Sequence, residues 1–442
     1  MAPGFCRGVT SLLSRRKDQF LYTILQYGYI SNTYKEVCIA VEMFYVEQFG
    51  PIWELSRVGP SAGFMIQRGD VFDSCSLHPG RPPESLIIED SAMTVATFQD
   101  RLISCGARLA SYRGAETPAR FGDPALEFQA LLKGAAVFDM SWQGKLIISG
   151  KDRTRWANGM VTNNIRDLAP GHGVYTFVLN SQGRNQGDLV TYNRGDYLLA
   201  TTDRAQVEPI TTLLQRYIIM DKVEIEEISD KLASVGIGGP QAGATLSRIS
   251  IEVASLEPGQ VIDTVWREVG ISIARNPHPH SNAYEIWIAP ENVEKLWDAL
   301  TGAGAQPAGS EALEMYRIAR GIPRYGVDLR ERDLPQETGQ EHALNFTKGC
   351  YIGQEIVERI RSRGNVHRAL VGFEVEGEPP LPGTKVFAGD KEVGEITSAA
   401  RVPFAEGERT LALGYLRREA GAPGASVRVG EQSATIHAIP FI

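Results

Sequence analysis

The chain has 442 residues, of which 43% are hydrophobic and 22% are charged, and its formal net charge is -8 at pH 7. This length allows two or three domains that each bury a core, and the composition is that of an ordinary globular protein. The negative charge disfavours direct nucleic-acid binding, because phosphate recognition needs a basic face. No stretch approaches the roughly 18–20 uninterrupted apolar residues that a membrane span requires.

The cysteines are few and scattered. They lie at positions 6, 38, 75, 105 and 350, and they form no CxxC pair and no cluster with metal-ligand spacing. Such a set predicts reduced thiols in a reducing compartment, without a disulfide framework. We therefore expect no bound zinc or built-in iron–sulfur site, and a cytoplasmic location.

Residues 1–92 differ from the rest of the chain, with many aromatic residues and little sustained periodicity. Residues 1–17 are basic and contain no acid, which weakly resembles a transit peptide and would imply the mitochondrial matrix. Acidic residues from Asp18 onward weaken that pattern. The alternatives are a poorly ordered extension or a mis-assigned start, with translation beginning at Met93. We assign the segment no function.

From Met93 to residue 365, short helices alternate with short strands. Helices are predicted over 94–109, 152–158, 207–217 and 291–300, and strands over 135–139, 145–149, 175–180, 187–193, 196–201 and 283–289. Hairpins occur as well as crossovers, which indicates an α+β region of two subdomains rather than a doubly wound parallel sheet.

Residues 366–442 have a different pattern, in which short alternating strands are joined by Gly- and Pro-rich turns and there is little helix. This pattern predicts a small β-barrel or sandwich as a separate C-terminal domain.

Between these regions, Thr347–Arg368 reads TKGCYIGQEIVERIRSRGNVHR. We predict a helix over 353–362 with Gly364 as its C-cap. Cys350 then precedes a helix N-terminus and lies two residues from the ammonium of Lys348, and both neighbours favour the thiolate form. Such a thiol can act as a nucleophile, a metal ligand or a redox relay, although a lone cysteine is often only a small buried hydrophobic residue.

Other polar strings have structural interpretations. His278 and His280 suggest a metal site, but the intervening proline and the lack of an adjacent acid or thiol favour an exposed loop. His342 is predicted to be a surface residue. The glycines of 235–243 lack the spacing of a phosphate loop and predict a strand-to-helix turn. Asp139 is either a turn residue or a ligand.

The string KGCYIGQE resembles the KGCYxGQE signature of the YgfZ family at every fixed position. Three further segments resemble the same family: VTNNIRDLAPGHGVYTFVLNSQGR at 161–184, RIARGIPRYGVDL at 317–329, and the closing strands with VGEITSAA and IPF. The resemblance extends from about Met93 to the end of the chain. It places the sequence in the superfamily of the glycine-cleavage T-protein.

This resemblance implies an α+β fold with a T-protein-like ring of three domains around a central folate channel, including the small C-terminal β-barrel. It implies tetrahydrofolate or a one-carbon derivative as cofactor, and a role in the assembly or repair of iron–sulfur clusters through Cys350. The implied partners are iron–sulfur client or assembly proteins, and bacterial members are linked to enzymes that thiolate tRNA.

The resemblance also implies which residues contact folate. Arg317 matches the family's channel arginine, and Lys348 adds a second cation for the anionic glutamate tail. The full set of candidate folate contacts is Asn164, Tyr175, Asn180, Arg317, Lys348 and Tyr351.

Two departures from the aminomethyltransferase T-proteins stand out. Those proteins place an aspartate where this chain has Asn164, and an amide does not titrate near neutrality. Aminomethyl transfer by the T-protein mechanism is therefore disfavoured. The pterin-binding glutamate of T-proteins aligns near Ser281, which implies that the bidentate pterin contact is lost.

Three functions remain open from the sequence. The first is a folate-binding factor for iron–sulfur proteins that acts through Cys350. The second is a tetrahydrofolate-dependent methyl- or aminomethyltransferase. The third is an interaction scaffold that has kept the fold and lost the folate site.

Overall fold

The computed structural model describes residues 55–57, 64–68, 71–74, 92–364 and 366–442. The chain divides into two compact units, Met1–Pro79 and Gly80–Ile442. In the first unit the described strands β1 (Leu55–Arg57), β2 (Phe64–Arg68) and β3 (Val71–Ser74) form an antiparallel sheet. The rest of that unit, and with it most of the predicted poorly ordered extension, lies outside the described residues.

The second unit contains eight described α-helices and nineteen strands. The helices are α1 (Ala92–Ser104), α2 (Pro124–Lys133), α3 (Arg153–Met160), α4 (Arg204–Gln215), α5 (Ala242–Arg248), α6 (Val293–Gly302), α7 (Ser310–Ala319) and α8 (Gln354–Arg363). The strands are β4 (Arg108–Tyr112), β5 (Ala115–Arg120), β6 (Ala136–Asp139), β7 (Gln143–Ser149), β8 (His172–Leu179), β9 (Asn185–Asn193), β10 (Leu198–Asp203), β11 (Glu224–Glu227), β12 (Ala233–Gly238), β13 (Val261–Trp266), β14 (Val269–Arg275), β15 (Ala283–Ile288), β16 (Gln306–Pro307), β17 (Arg368–Val375), β18 (Lys385–Ala388), β19 (Lys391–Phe404), β20 (Gly407–Arg417), β21 (Ser426–Val429) and β22 (Gln432–His437). None of the described helices is long and apolar enough to cross a membrane.

The first sheet of this unit has five antiparallel strands in the order β11-β7-β10-β9-β8. Helices α3 and α4 cover one face, where Trp156 and Ile210 pack with Leu146 of β7 in a buried cluster. Each fully buried side chain of this size contributes about 1.5–3 kcal/mol relative to exposure. The helices are therefore held to the sheet by their apolar faces.

The second sheet has six strands in the order β13-β14-β15-β12-β6-β16, antiparallel except for the β6–β16 pair. Helices α1, α5 and α6 cover one face around Trp297. The opposite face packs against the first sheet, where Trp287 meets Tyr192 edge to face with ring centroids 5.0 Å apart. The two sheets thus form adjacent layers, and their strand ends border a common cavity.

The C-terminal region is a closed barrel in the strand order β17-β20-β19-β18-β21-β22, with a core that includes Phe373 and Ile396. Asp328, in the segment after α7, joins the barrel to the α+β region and has no exposed surface. Its carboxylate accepts hydrogen bonds from Thr397 and Ser398 of β19, and its carbonyl accepts one from the Tyr415 hydroxyl of β20 at 2.9 Å.

The α+β class with a small C-terminal β-barrel is confirmed. The predicted helix over 94–109 was too long, because the chain leaves the helix at Ser104 and turns at Gly106, where φ is +93°. Arg108–Tyr112 instead pairs with Ala115–Arg120 in a hairpin that the sequence analysis did not identify. The glycines of 235–243 do form a strand-to-helix turn, between β12 and α5.

Candidate functional site

A cavity of about 220 Å³ lies where the two sheets, the β4–β5 hairpin and helix α7 meet. Its lining combines aromatic and aliphatic side chains with polar and charged groups, among them three carboxylates. The polar and aromatic lining residues are Tyr112, Arg113, Phe138, Trp142, Gln143, Tyr175, Asp188, Thr201, Thr202, Asp203, Asn276, His278, Ser281, Glu285, Tyr316 and Arg317.

Glu285 brings a buried carboxylate to this cavity. It lies on β15 and is only 5% exposed, and its Oε2 accepts a hydrogen bond of 2.8 Å from Nε2 of Gln143. Burial raises the pKa of Glu285, while the Gln143 hydrogen bond and the nearby charge of Lys145 act in the opposite direction. Sequence reasoning missed this residue, although an acid within the apolar strand AYEIWI was a visible signal.

A second buried carboxylate lies on β9. Asp188 Oδ2 accepts a hydrogen bond of 2.6 Å from the Tyr175 hydroxyl, and its Oδ1 accepts one of 2.8 Å from Nε2 of Gln206 on α4. Burial raises the pKa of Asp188, and the charge of Asp203 adds to the effect. Tyr175 was predicted to contact folate, and it does line the cavity.

Arg113 reaches the cavity from the tip of the β4–β5 hairpin. Its backbone adopts φ +51°, a conformation that costs a non-glycine residue roughly 1–2 kcal/mol. The guanidinium lies 4.5 Å from the Trp142 ring centroid and forms a salt bridge of 3.1 Å with Asp203. Cation–π and ionic contacts therefore hold this arginine against the cavity wall.

Arg317 also borders the cavity, but its charge is already matched. Its guanidinium forms salt bridges of 2.7 Å with Glu314 and of 2.7 Å with the fully buried Asp328. Burial alone would raise the pKa of Glu314, but the charges of Arg317 and Arg324 outweigh it and bring the pKa down to about 2. The guanidinium predicted to bind folate is thus part of a buried ionic network.

Cys350 is exposed, as is Cys105, and it does not line the cavity. The predicted helix begins at Gln354, after Gly353 in a left-handed conformation, and its last turn is capped by Gly364. Three residues therefore separate Cys350 from the first helical residue.

The residues on either side of Cys350 are anchored. Lys348 is 1% exposed, and its ammonium donates to the backbone carbonyls of Asn158 and Val161 and lies 4.9 Å from the Tyr351 ring centroid. Burial lowers the pKa of Lys348 to about 7. Neither Lys348 nor Tyr351 lines the cavity.

Gly353 fits tightly against the turn between β8 and β9. A Cβ at Gly353 would lie 2.6 Å from the carbonyl oxygen of Asn180, and one at Gly183 would lie 2.8 Å from Cβ of Ile356. The Cys350 segment is therefore fixed to the strand pair that carries Tyr175 and Asp188.

Asn164 and Asn180 serve turns and do not line the cavity. Nδ2 of Asn164 donates to Asp167 Oδ2 at 2.8 Å, and Oδ1 of Asn180 accepts from the backbone nitrogens of Gln182 and Arg184 at 3.0 Å each. Asp139 is a turn residue, since its carboxylate accepts hydrogen bonds from the backbone and hydroxyl of Ser141.

The side chains of His278, His280 and His342 form a cluster. The prediction that these histidines are exposed was wrong. His278 and His280 are half-buried. The His278 ring centroid lies 5.4 Å from that of His280 and 5.0 Å from that of His342, and the His342 ring stacks on Tyr175. Burial lowers the pKa of His278 to about 3 and that of His342 to about 4. Among the described residues, no group of three or more His, Cys, Asp or Glu side chains is arranged to hold a metal ion.

Comparison with known proteins gives a consistent result. The model of the GCVT N-terminal domain matches residues 98–348, and that of the glycine cleavage T-protein C-terminal barrel domain matches residues 368–441. An aminomethyltransferase of Geobacillus kaustophilus is 29% identical over 351 residues, covering 76% of this chain and 95% of that protein. An aminomethyltransferase of Thermus thermophilus is 27% identical over 343 residues, and the match covers 76% of this chain and 95% of that protein.

A solved structure shows the same fold. The chain resembles the crystal structure of glycine cleavage system aminomethyltransferase T from Bartonella henselae with a TM-score of 0.71 at 18% sequence identity. The match covers 78% of this chain and 97% of that one.

Proposed function

The chain belongs to the glycine cleavage T-protein (GCVT) family, and on this premise we propose that it binds tetrahydrofolate in the cavity and takes part in one-carbon transfer. Tetrahydrofolate, the cofactor predicted from the sequence, is the cofactor of this family. The curated relatives are named aminomethyltransferases. A folate-dependent aminomethyl or methyl transfer is therefore the first candidate reaction.

The observation that supports this proposal most strongly is the buried Glu285 carboxylate. The pterin ring of tetrahydrofolate carries neighbouring N–H donors on its pyrimidine edge, and a carboxylate can accept two such bonds in parallel. The sequence analysis predicted that the pterin contact is lost because Ser281 stands near the position of the T-protein glutamate. Glu285 lines the cavity and can supply a carboxylate for this contact instead.

The remaining lining fits a flat ring. Trp142, Tyr112 and Phe138 offer apolar surfaces for its faces. The volume of about 220 Å³ is below the roughly 300–1,000 Å³ of pockets that enclose a whole drug-sized ligand. The cavity therefore suits the ring, with the glutamate tail outside. Bound tetrahydrofolate would supply the nitrogen that carries the one-carbon unit, and the protein would orient it and exclude water.

Isothermal titration calorimetry with tetrahydrofolate tests the proposal. Glu285→Gln removes the charge and half of the acceptor capacity, so we expect the affinity to fall about tenfold to hundredfold, the range for a lost hydrogen bond to a charged group. Glu226→Gln is the matched control, because Glu226 is half-exposed or more and pairs with Lys231 on the surface. Equal affinities for wild type and Glu285→Gln would contradict the pterin contact.

A second candidate function is that of the YgfZ branch, the assembly or repair of iron–sulfur clusters, with a link to tRNA-thiolating enzymes. Its support is the KGCYIGQE string together with the exposed Cys350 on an anchored loop. A single cysteine does not complete the usual four-ligand set of a cluster. Cys350 would therefore share a cluster with an iron–sulfur client or assembly protein.

Complementation in cells that lack the protein separates the two candidates. If the second is correct, Cys350→Ala should fail to restore the activity of iron–sulfur enzymes, whereas Cys105→Ala should restore it, because Cys105 is also exposed but lies after helix α1. Full restoration by Cys350→Ala would refute that role. Glycine-cleavage turnover in a reconstituted assay, unaffected by Cys350→Ala, would favour the first candidate.

We also propose that residues 93–365 form the folate-binding region and residues 366–442 a separate barrel domain, and that residues 1–92 take no part in either activity. Removal of residues 1–92 should leave tetrahydrofolate affinity unchanged in the calorimetric assay. A loss of affinity on removal would refute this assignment.

A further inference from the structure

Lys145 places a buried ammonium behind the wall of the cavity. It lies on β7, is 1% exposed and does not line the cavity. Within the described part of the chain, its Nζ donates to one acceptor, the Gln143 carbonyl oxygen at 3.4 Å, and it forms no salt bridge at the 4.0 Å limit. A buried ammonium with so few partners is costly unless a nearby negative charge stabilises it.

Gln143 connects Lys145 to Glu285. Leu146 packs beneath helices α3 and α4, so the alternation along β7 turns Gln143 and Lys145 toward the second sheet. Nε2 of Gln143 donates to Glu285 Oε2 at 2.8 Å, and Oε1 of Gln143 accepts from the Ser234 hydroxyl at 3.1 Å. The Ser234 hydrogen bond fixes which end of the Gln143 amide meets Glu285, and the carboxylate is thereby held in one orientation.

The charges around Lys145 and Glu285 favour the ionised form of each. Burial lowers the pKa of Lys145 to about 7, and the charge of Arg204 on α4 adds to the effect. Three carboxylates oppose it, first that of Glu285 and then those of Asp139 and Asp230. Burial raises the pKa of Glu285, whereas the Gln143 hydrogen bond and the charge of Lys145 lower it. The attraction between Lys145 and Glu285 is therefore mutual.

The other groups that face Glu285 are uncharged. The side chains of Trp287 and Asn276 also lower its pKa, and neither carries a charge. Tyr192 on β9 is a neutral phenol, because burial and the charge of Glu285 raise its pKa. Among the residues that the structure describes, Lys145 is thus the cation that counteracts the burial of Glu285.

We propose that Lys145 is a positioning residue for tetrahydrofolate, a buried counter-ion that keeps the Glu285 carboxylate ionised and ready to accept the pterin N–H donors. The inference rests on the proposed folate function, in which Glu285 binds the pterin ring as a carboxylate. Lys145 does not touch the ligand and acts through Glu285. A protonated Glu285 would turn an O–H donor toward the N–H donors of the ring and lose part of its acceptor capacity.

NMR spectroscopy of the whole chain, labelled with ¹³C at the glutamate side-chain carboxyls, tests the ionisation of Glu285 directly. The signal of Glu285 is the one that is absent from Glu285→Gln, and it is followed from pH 5 to pH 9. Lys145→Met keeps the length of the side chain and removes its charge. The midpoint of the Glu285 titration should then rise by about 1–3 pH units, the range for loss of a nearby opposite charge.

Lys391→Met is the matched control, because Lys391 is exposed and pairs with Glu419 on the barrel. The Glu285 midpoint in this variant should equal that of wild type. If Lys145→Met does not fold, Lys145→Gln makes the same test with a polar group in place of the ammonium. An unchanged Glu285 midpoint in a folded variant of Lys145 would overturn the proposal.

The mutual attraction also predicts the reverse effect, which needs no substitution at Lys145. In protein labelled with ¹³C at lysine Cε, one lysine signal should titrate at a lower pH in Glu285→Gln than in wild type, because the ammonium of Lys145 has lost its anion. If no lysine signal moved to lower pH, the proposal would be overturned.

Calorimetry with tetrahydrofolate separates this inference from the proposed function. At pH 6 the affinity of Lys145→Met should be about tenfold or more below that of wild type, and the difference should shrink at pH 8, where Glu285 is ionised again. An equal loss at both pH values would indicate a structural defect and overturn the proposal. If wild type did not bind tetrahydrofolate, the folate function would fail, and the NMR midpoints alone would decide whether Lys145 is the counter-ion of Glu285.

Discussion

Replacement of Arg317 by methionine should destabilise the protein strongly. Methionine fills much of the same space but leaves the carboxylate of Asp328, which has no exposed surface, without its cation. Removal of one partner of a buried ion pair costs about 3–5 kcal/mol. Since native proteins are stable by about 5–15 kcal/mol, this loss is a large share of the total.

Urea denaturation followed by circular dichroism measures the effect. With an m-value of about 3 kcal/mol per molar urea, the transition midpoint should fall by about 1–2 M. Arg101→Met is the matched control: Arg101 pairs with Asp298 at 3.0 Å, but its side chain is 38% exposed. Its loss should leave the midpoint close to that of wild type, because exposed ion pairs contribute little to stability.

The opposite result would refute this reasoning. If Arg317→Met kept its stability within about 1 kcal/mol of wild type, the buried ionic network would not be what Arg317 maintains. Loss of tetrahydrofolate binding in such a stable variant would show that Arg317 is a folate ligand, as its resemblance to the family's channel arginine suggests.

Three further predictions concern acid stability, the tight loop and the thiol. The pKa of Glu314 is about 2 in the folded chain, so the stability that its charge contributes is complete above about pH 4.5 and is lost as the pH falls toward 2. The urea midpoints measured at pH 5 and at pH 3 should therefore differ less in Glu314→Gln than in wild type. An equal difference in the two proteins would contradict this role of Glu314. Gly353→Ala should destabilise the fold by more than the roughly 1–2 kcal/mol that a left-handed alanine costs, because its Cβ would lie 2.6 Å from the Asn180 carbonyl oxygen. Gly326→Ala has a similar φ of +81° and open space around it, so it should cost only that amount. Equal melting temperatures of the two variants would refute the steric argument. Cys350→Ser should unfold at the same urea concentration as wild type because Cys350 is exposed, and a lower midpoint would show that the thiol is packed.

The sequence predicted the elements whose periodicity is strong and local. The alternating strands after Arg368 form the barrel, and the strand predicted over 283–289 is β15. The hairpin of β4 and β5 was missed because Arg108–Tyr112 continues the apolar spacing of helix α1, and only the turn at Gly106 separates them.

The sequence says less about which side chains share a cavity, because side-chain direction depends on tertiary packing. The resemblance pointed to Tyr175, which does border the cavity, but also to Asn164 and Lys348, which do not. Glu285 and Asp188 were missed because each is a single acid in a strand, and a sequence does not show that two sheets turn these acids toward one cavity.

Several residues of the KGCYIGQE loop fix its conformation through contacts with neighbouring elements. Lys348 closes the end of helix α3, Tyr351 packs beneath the ammonium of Lys348, and Gly353 allows the close approach to Asn180. Gln354 accepts a hydrogen bond from the Tyr351 backbone nitrogen at 3.3 Å. Four of the eight residues of the string thus hold the loop in one shape and fix the position of the exposed Cys350. Any molecule that docked on this loop would meet the Cys350 side chain at a fixed position relative to strands β8 and β9.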